Sequence, residues 1–200
     1  MKKLLLLTAA MSICTTAVFS QTKLKFVEIS SGQSITMAGC GYSLFKDVPD
    51  NINATCVSMN LGWGKDSSLT FGAKIDMGGA NIPTNEERLS VYSFCLEERI
   101  YRSICSFARC FFDISLGGSY AANEYMFAGN KKTEQRWGVI YDMAVGGEVF
   151  VSRHFYAGAS LHFFANPLFG SLSESTSALP VKDSKGFAGN KIMFSVGYNL

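Results

Sequence analysis

The last twelve residues, Gly189 to Leu200, alternate in polarity. Ile192, Phe194, Val196, Tyr198 and Leu200 fall on one side, and Lys191, Met193, Ser195, Gly197 and Asn199 on the other. A period of two marks a strand with one apolar and one mostly polar face. In a soluble sheet the apolar face would meet a core. In an exported closed barrel it meets lipid, and the polar face turns into the lumen. Seven more stretches share this period, so the chain reads as all-β, a closed antiparallel transmembrane barrel of about eight strands with short periplasmic turns and longer external loops.

The first strand is expected within Ser34–Phe45, with Ala38, Cys40, Tyr42 and Leu44 outward. Lys23–Ser30 reads as an extra periplasmic strand or a lead-in, which makes 21–33 a lead-in segment and 34–200 the barrel domain. Asn53–Gly64 follows with Thr55, Val57, Met59, Leu61 and Trp63 outward. Ser68–Gly78 sets Leu69, Phe71, Ala73, Ile75 and Met77 against Thr70, Gly72, Lys74 and Asp76. Glu87–Glu98 has Tyr92, Phe94 and Leu96 out and Ser93, Cys95 and Glu97 in. Phe107–Tyr120 has Cys110, Phe112, Ile114 and Leu116 out and Arg109, Asp113, Ser115 and Gly117 in. Arg136–Val151 turns Asp142, Gly146 and Glu148 inward, and Arg153–Ala165 does the same with His154, Tyr156, Gly158, Ser160 and His162.

The connections are expected to alternate in length. Lys65-Asp66-Ser67 and the reversal at Ser152-Arg153 are short, as periplasmic turns should be, but the supposed turn Arg99–Ser106 is no shorter than the external Gly79–Glu86. Ala121–Gln135 and Asn166–Ala188 read as long external loops.

Export is written at the front. Met1-Lys2-Lys3 is basic, an apolar stretch runs from Leu4 to about Val18, and Val18-Phe19-Ser20 precedes Gln21 with a small residue at the cut. Residues 1–20 read as a cleaved signal peptide. Thr8, Ser12, Thr15 and Thr16 interrupt the stretch and keep it short of a spanning helix, and Ile13 before Cys14 disfavours lipoprotein processing. Without Lys2 and Lys3 the 18 basic residues fall to 16, matching the 16 acidic ones, so the mature chain offers no electrostatic footprint for nucleic acid. Glycine and aromatic residues are plentiful and proline is scarce, as girdled barrel strands require.

These features resemble the small OmpA/OmpX-type, porin-like outer-membrane β-barrels. In that family the last strand carries the signal for the barrel-assembly machinery. The resemblance assigns that role here to Phe194, Tyr198 and Leu200, with Leu in place of the usual terminal Phe. It implies location in the outer membrane of a Gram-negative-type bacterium, surrounded by outer-membrane lipid, with external loops free to meet a surface or envelope partner. No phosphate loop, Rossmann fingerprint or calcium loop is present, so no cofactor is expected.

The inward positions gather Lys74, Asp76, Glu97, Arg109, Asp113, Asp142, Glu148, His154, His162 and Lys191 as a lumen charge network. An eight-stranded barrel is just wide enough for its side chains, so paired charges make a plug. The same groups could line a narrow pore or a ligand cavity. Ser160 and His162, with Glu148 across the hairpin, satisfy the general requirements of a nucleophile, base and carboxylate. The lipid A deacylases, barrels with Ser, His and Glu, place these groups toward lipid, whereas periodicity places them inward here. The five mature cysteines, Cys40, Cys56, Cys95, Cys105 and Cys110, match no zinc or redox spacing. They read as small apolar fillers, with Cys105 the exposed thiol and room for one disulfide.

Overall fold

The computed structural model describes residues 23–37, 51–64, 68–82, 87–127, 129–169 and 186–200. They form eight strands: β1 (Lys23–Met37), β2 (Asn51–Gly64), β3 (Leu69–Ile82), β4 (Glu87–Cys105), β5 (Ala108–Phe127), β6 (Asn130–Phe150), β7 (Phe155–Phe169) and β8 (Gly186–Asn199). Each pairs antiparallel with its sequence neighbours, and β8 closes on β1, leaving no free edge.

The register fixes the shape. Stepping across the ladder from Phe26, the partners are Gly62, Gly72, Glu97, Ser115, Asp142, Phe164 and Gly189, and the last step reaches Thr36, ten residues beyond Phe26 on the same strand. A stagger of this size over eight strands tilts each strand by about 40° from the barrel axis.

Outside, every strand contributes a large apolar side chain at mid-height: Ile29, Met59, Ile75, Phe94, Ile114, Met143, Phe163 and Ile192, each 45–56% exposed. A continuous ring of this kind needs an apolar surrounding. Aromatic rings border it. Phe155 packs on Tyr198 at 4.9 Å at the end that carries Lys23 and Asn199, here the proximal end, and Tyr120 packs on Trp137 at 5.0 Å toward the distal end.

Several expectations change. The first strand is Lys23–Met37, so the barrel begins before residue 34 and the lead-in of 21–33 is largely wall. Phe26, Glu28 and Ser30 point inward while Val27 and Ile29 point out, and Glu28 finds buried partners; Ser30–Ser34, polar on both faces, hides this from periodicity. Ala38, Cys40, Tyr42 and Leu44 lie outside the described residues. Arg99–Ser106 is no long turn, because β4 runs to Cys105 and reverses at Ser106-Phe107. The awkward third connection is therefore short like the others.

Ala121–Gln135 is not a loop either. The β5–β6 ladder continues from Ala121↔Arg136 to Phe127↔Asn130, because backbone pairing needs no particular side-chain polarity. Of Asn166–Ala188, Asn166–Phe169 belongs to β7 and Gly186–Ala188 to β8; 170–185 lie outside the described residues.

Candidate functional site: a three-level lumen

The proximal level joins aromatic rings to two arginines. Phe26, Tyr101, Phe111 and Tyr156 form a buried cluster with Phe150 packed against it. Strand alternation aims these large side chains at one another, and glycines make the space: the ring of Phe26 fills the volume a side chain at Gly62 would need, Phe111 that at Gly146, and Tyr156 that at Gly197. The guanidinium of Arg99 lies 4.4 Å from the Phe111 ring centre and that of Arg109 lies 3.9 Å from the Tyr101 ring centre.

Arg99 is fully buried among four carboxylates from four strands. Its Nη2 donates to Glu28 Oε1 at 3.2 Å and to Asp113 Oδ2 at 3.3 Å, and its Nη1 donates to Glu148 Oε1 at 3.5 Å. Its Nε stands 3.1 Å from Glu97 Oε1. Glu28 also accepts from Asn60 Nδ2 and from Tyr156 Oη, both at 3.0 Å. Arg109 Nε donates to the other oxygen of Glu148 at 2.5 Å. A charge so deep is tolerated only when opposite charges surround it this closely.

The middle level turns on Asp142. Lys74 Nζ and Lys191 Nζ each donate to its Oδ2 at 2.8 Å, and the same lysines approach Asp76 Oδ2 at 3.8 and 3.4 Å. Ser58 Oγ donates to Asp76. His162 Nδ1 lies 3.1 Å from Asp142 Oδ2, and Ser160 Oγ lies 2.9 Å from His162 Nε2. An ionised carboxylate only accepts, so a neutral His162 carries its proton on Nδ1, donates it toward Asp142, and accepts a hydrogen bond from the Ser160 hydroxyl at Nε2.

The distal level is apolar. Ala80, Leu89, Ala121, Phe164, Leu168 and Phe187 pack together inside the wall, with Ala54 and Val91 against them. Between this layer and the lysines, Ser119 Oγ donates to Asn166 Oδ1 at 2.6 Å.

Of the expected lumen residues, Lys74, Asp76, Asp142, His162 and Lys191 assemble in the middle level, and Glu97, Arg109, Asp113 and Glu148 in the proximal one. His154 does not join them. It is exposed in the turn before β7, with Nδ1 3.0 Å from the Asn199 carbonyl and its ring stacked 5.5 Å from Tyr198. The strand starts at Phe155, and alternation cannot govern a residue outside it.

The relay also changes its carboxylate. Glu148 is bound to the two arginines, and Asp142 serves His162 instead. The order Ser, His, Asp is that of a nucleophile, base and orienting acid. It sits inside the wall, with both lysines drawing on the same Asp142 oxygen.

Arg99 and Glu28 are the residues that periodicity missed. The inward series Cys95, Glu97, Arg99, Tyr101 would have given the first, had strand four been continued, and Phe26, Glu28, Ser30 the second. Cys56 and Cys95 are buried in the lumen, Cys105 is exposed and Cys110 partly so; all four are free thiols. Among the described residues no group of His, Cys, Asp or Glu is arranged to hold a metal ion.

A scan of protein-family models and a search of curated proteins find no match to the chain. Solved structures do match in shape. Neisserial surface protein A superposes with a TM-score of 0.61 at 9% identity, covering 90% of this chain and 99% of that one. Ail, the attachment invasion locus protein of Yersinia pestis, gives 0.51 at 13% identity, covering 89% and 100%. At these identities the likeness is one of architecture, and it is the conclusion the ladder reached from within: the chain has the fold of the small eight-stranded outer-membrane barrels.

Proposed function

We propose that this chain is exported by its first twenty residues and inserted in the outer membrane of a Gram-negative-type bacterium. There it acts as a sealed scaffold that holds its distal rim toward a surface or envelope partner. The observation that carries this reading is the filled lumen: an aromatic–arginine layer, an ionic layer and an apolar layer follow one another along the axis. The exterior ring supports lipid as the surrounding medium. Phe194 and Tyr198, on the outer face of β8, and Leu200, just past its end, are assigned to recognition by the barrel-assembly machinery.

Membrane fractionation and planar-bilayer recording test the proposal together. A heat-modifiable band in the outer-membrane fraction, with negligible conductance, is the expected result. Native protein in soluble periplasm would overturn the location, and a large stable conductance would replace the sealed scaffold by a small porin or ligand-binding barrel. A hydrolase reading rests on the Ser160–His162–Asp142 relay. Ester or lipid hydrolysis that vanishes in Ser160→Ala would establish it in place of the scaffold.

A further inference from the structure

We infer that the barrel pairs laterally with a second copy of itself through a polar patch on its outer wall at the closing seam, where β8, β1 and β2 meet. The inference rests on the outer wall facing lipid.

Most strands keep apolar or small side chains outward through the middle of the band. β4 breaks this at a single position, Glu98 beside Ile114, and β1 breaks it at two outward positions in a row. After Ile29 its outward residues are Ser31 and Gln33, both exposed. Ser31 sits between Phe194 and Val57, and Gln33 between Ile192 and Thr55. Ile192 belongs to the mid-height ring, and Phe194 and Val57 are exposed apolar residues next to ring members on their own strands, so the polar pair lies within the band and not at its rim. Asn190, one outward position beyond Ile192 on β8, extends the patch to four polar side chains with Thr55.

Acyl chains offer nothing to a hydroxyl or a carboxamide, and the neighbouring backbone groups are spent in the ladder. A protein surface is the occupant that satisfies the patch. Its chemistry selects which one: Ser31, Gln33, Thr55 and Asn190 carry no charge, and each side chain both donates and accepts. Such a set complements itself when turned by a two-fold axis. Two copies inserted in the same sense present walls whose strands each tilt by about 40°, so they cross steeply and touch over a compact area. A four-residue patch fits that contact better than a long row would.

The test places a photo-crosslinking residue, p-benzoylphenylalanine, at position 33 or at position 114 on the opposite wall, in full-length protein reconstituted in phosphatidylcholine vesicles. A homodimer adduct from position 33, about tenfold stronger than from position 114, is expected. Sedimentation equilibrium in micelles gives the second measurement: the double variant Ser31→Leu/Gln33→Leu should weaken the dimer about tenfold, as loss of polar contacts within a membrane predicts.

Equal adducts from the two positions, adducts to lipid alone, or a double variant that dimerises like wild type would each overturn the pairing. Flotation of the same vesicles separates the two readings. Protein that floats as a monomer overturns the pairing only, whereas protein that does not float overturns the lipid-facing wall itself.

Discussion

Arg99 ties β1, β4, β5 and β6 together from inside, through Glu28, Glu97, Asp113 and Glu148. Removing one partner of a buried ion pair leaves the others desolvated and uncompensated. Arg99→Ala should therefore lower stability by about 3–5 kcal/mol, read from urea unfolding of the reconstituted protein. Arg109→Ala should cost less, because that side chain is only partly buried and Glu148 keeps Arg99. Equal losses would show that the proximal layer is not centred where the geometry places it. A second residue-scale consequence concerns Gly197. Alanine there collides with the ring of Tyr156, so Gly197→Ala should cost about 1–3 kcal/mol as overpacking and weaken the Tyr156–Glu28 hydrogen bond. Arg109 was legible from alternation and Arg99 was not. Glu97, Glu98 and Arg99 place three charges in succession, a composition that looks like a turn; only the paired ladder shows Glu98 outside and its neighbours within.

Strands were legible in proportion to the contrast between their two faces. In the band each outward residue meets an apolar surrounding and each inward one meets the lumen, and the period of two survives in β2, β3 and β8. Where the contrast fades, so does the signal. Ser30–Ser34 is polar on both sides, and the distal part of β5 and β6 mixes Glu124, Lys131 and Thr133 with Tyr120 and Met126. Depth within the band can be tested directly. Met143→Arg, on the mid-height ring, should cost about 2–4 kcal/mol of folding free energy in bilayers, whereas Lys131→Gln, which only breaks an exposed pair with Glu124 on the distal hairpin, should cost under about 1 kcal/mol. A negligible effect of Met143→Arg would mean that the ring does not contact hydrocarbon. On β8, Tyr198→Asp with Leu200→Asp should lower the amount of protein inserted, measured by quantitative blotting of outer-membrane fractions. Normal levels would remove the assembly role from those positions.

Across the whole molecule, strand number and closure followed from counting alternating segments, but the vertical sorting of the lumen did not. Phe164 and Phe187 are far apart in sequence, and their packing at 6.0 Å depends on a register no single segment encodes. That sorting predicts how the barrel fails. Disrupting one layer leaves the other two in place, so Phe164→Ala should loosen the distal layer without opening a conducting path, and single-channel recordings should stay silent. Continuous conductance in this variant would show that the apolar layer alone is the seal.

The β5–β6 pair adds a mechanical asymmetry. At about 3.3 Å per residue and a tilt near 40°, the 20 residues of β5 rise roughly 50 Å, about twice the height of an apolar band of this kind. Among the described residues the rim is therefore oblique: one side of the barrel stands like a mast above the described ends of its neighbours, and in the proposed orientation a large body approaching the distal end would touch this hairpin before any other described part of the protein.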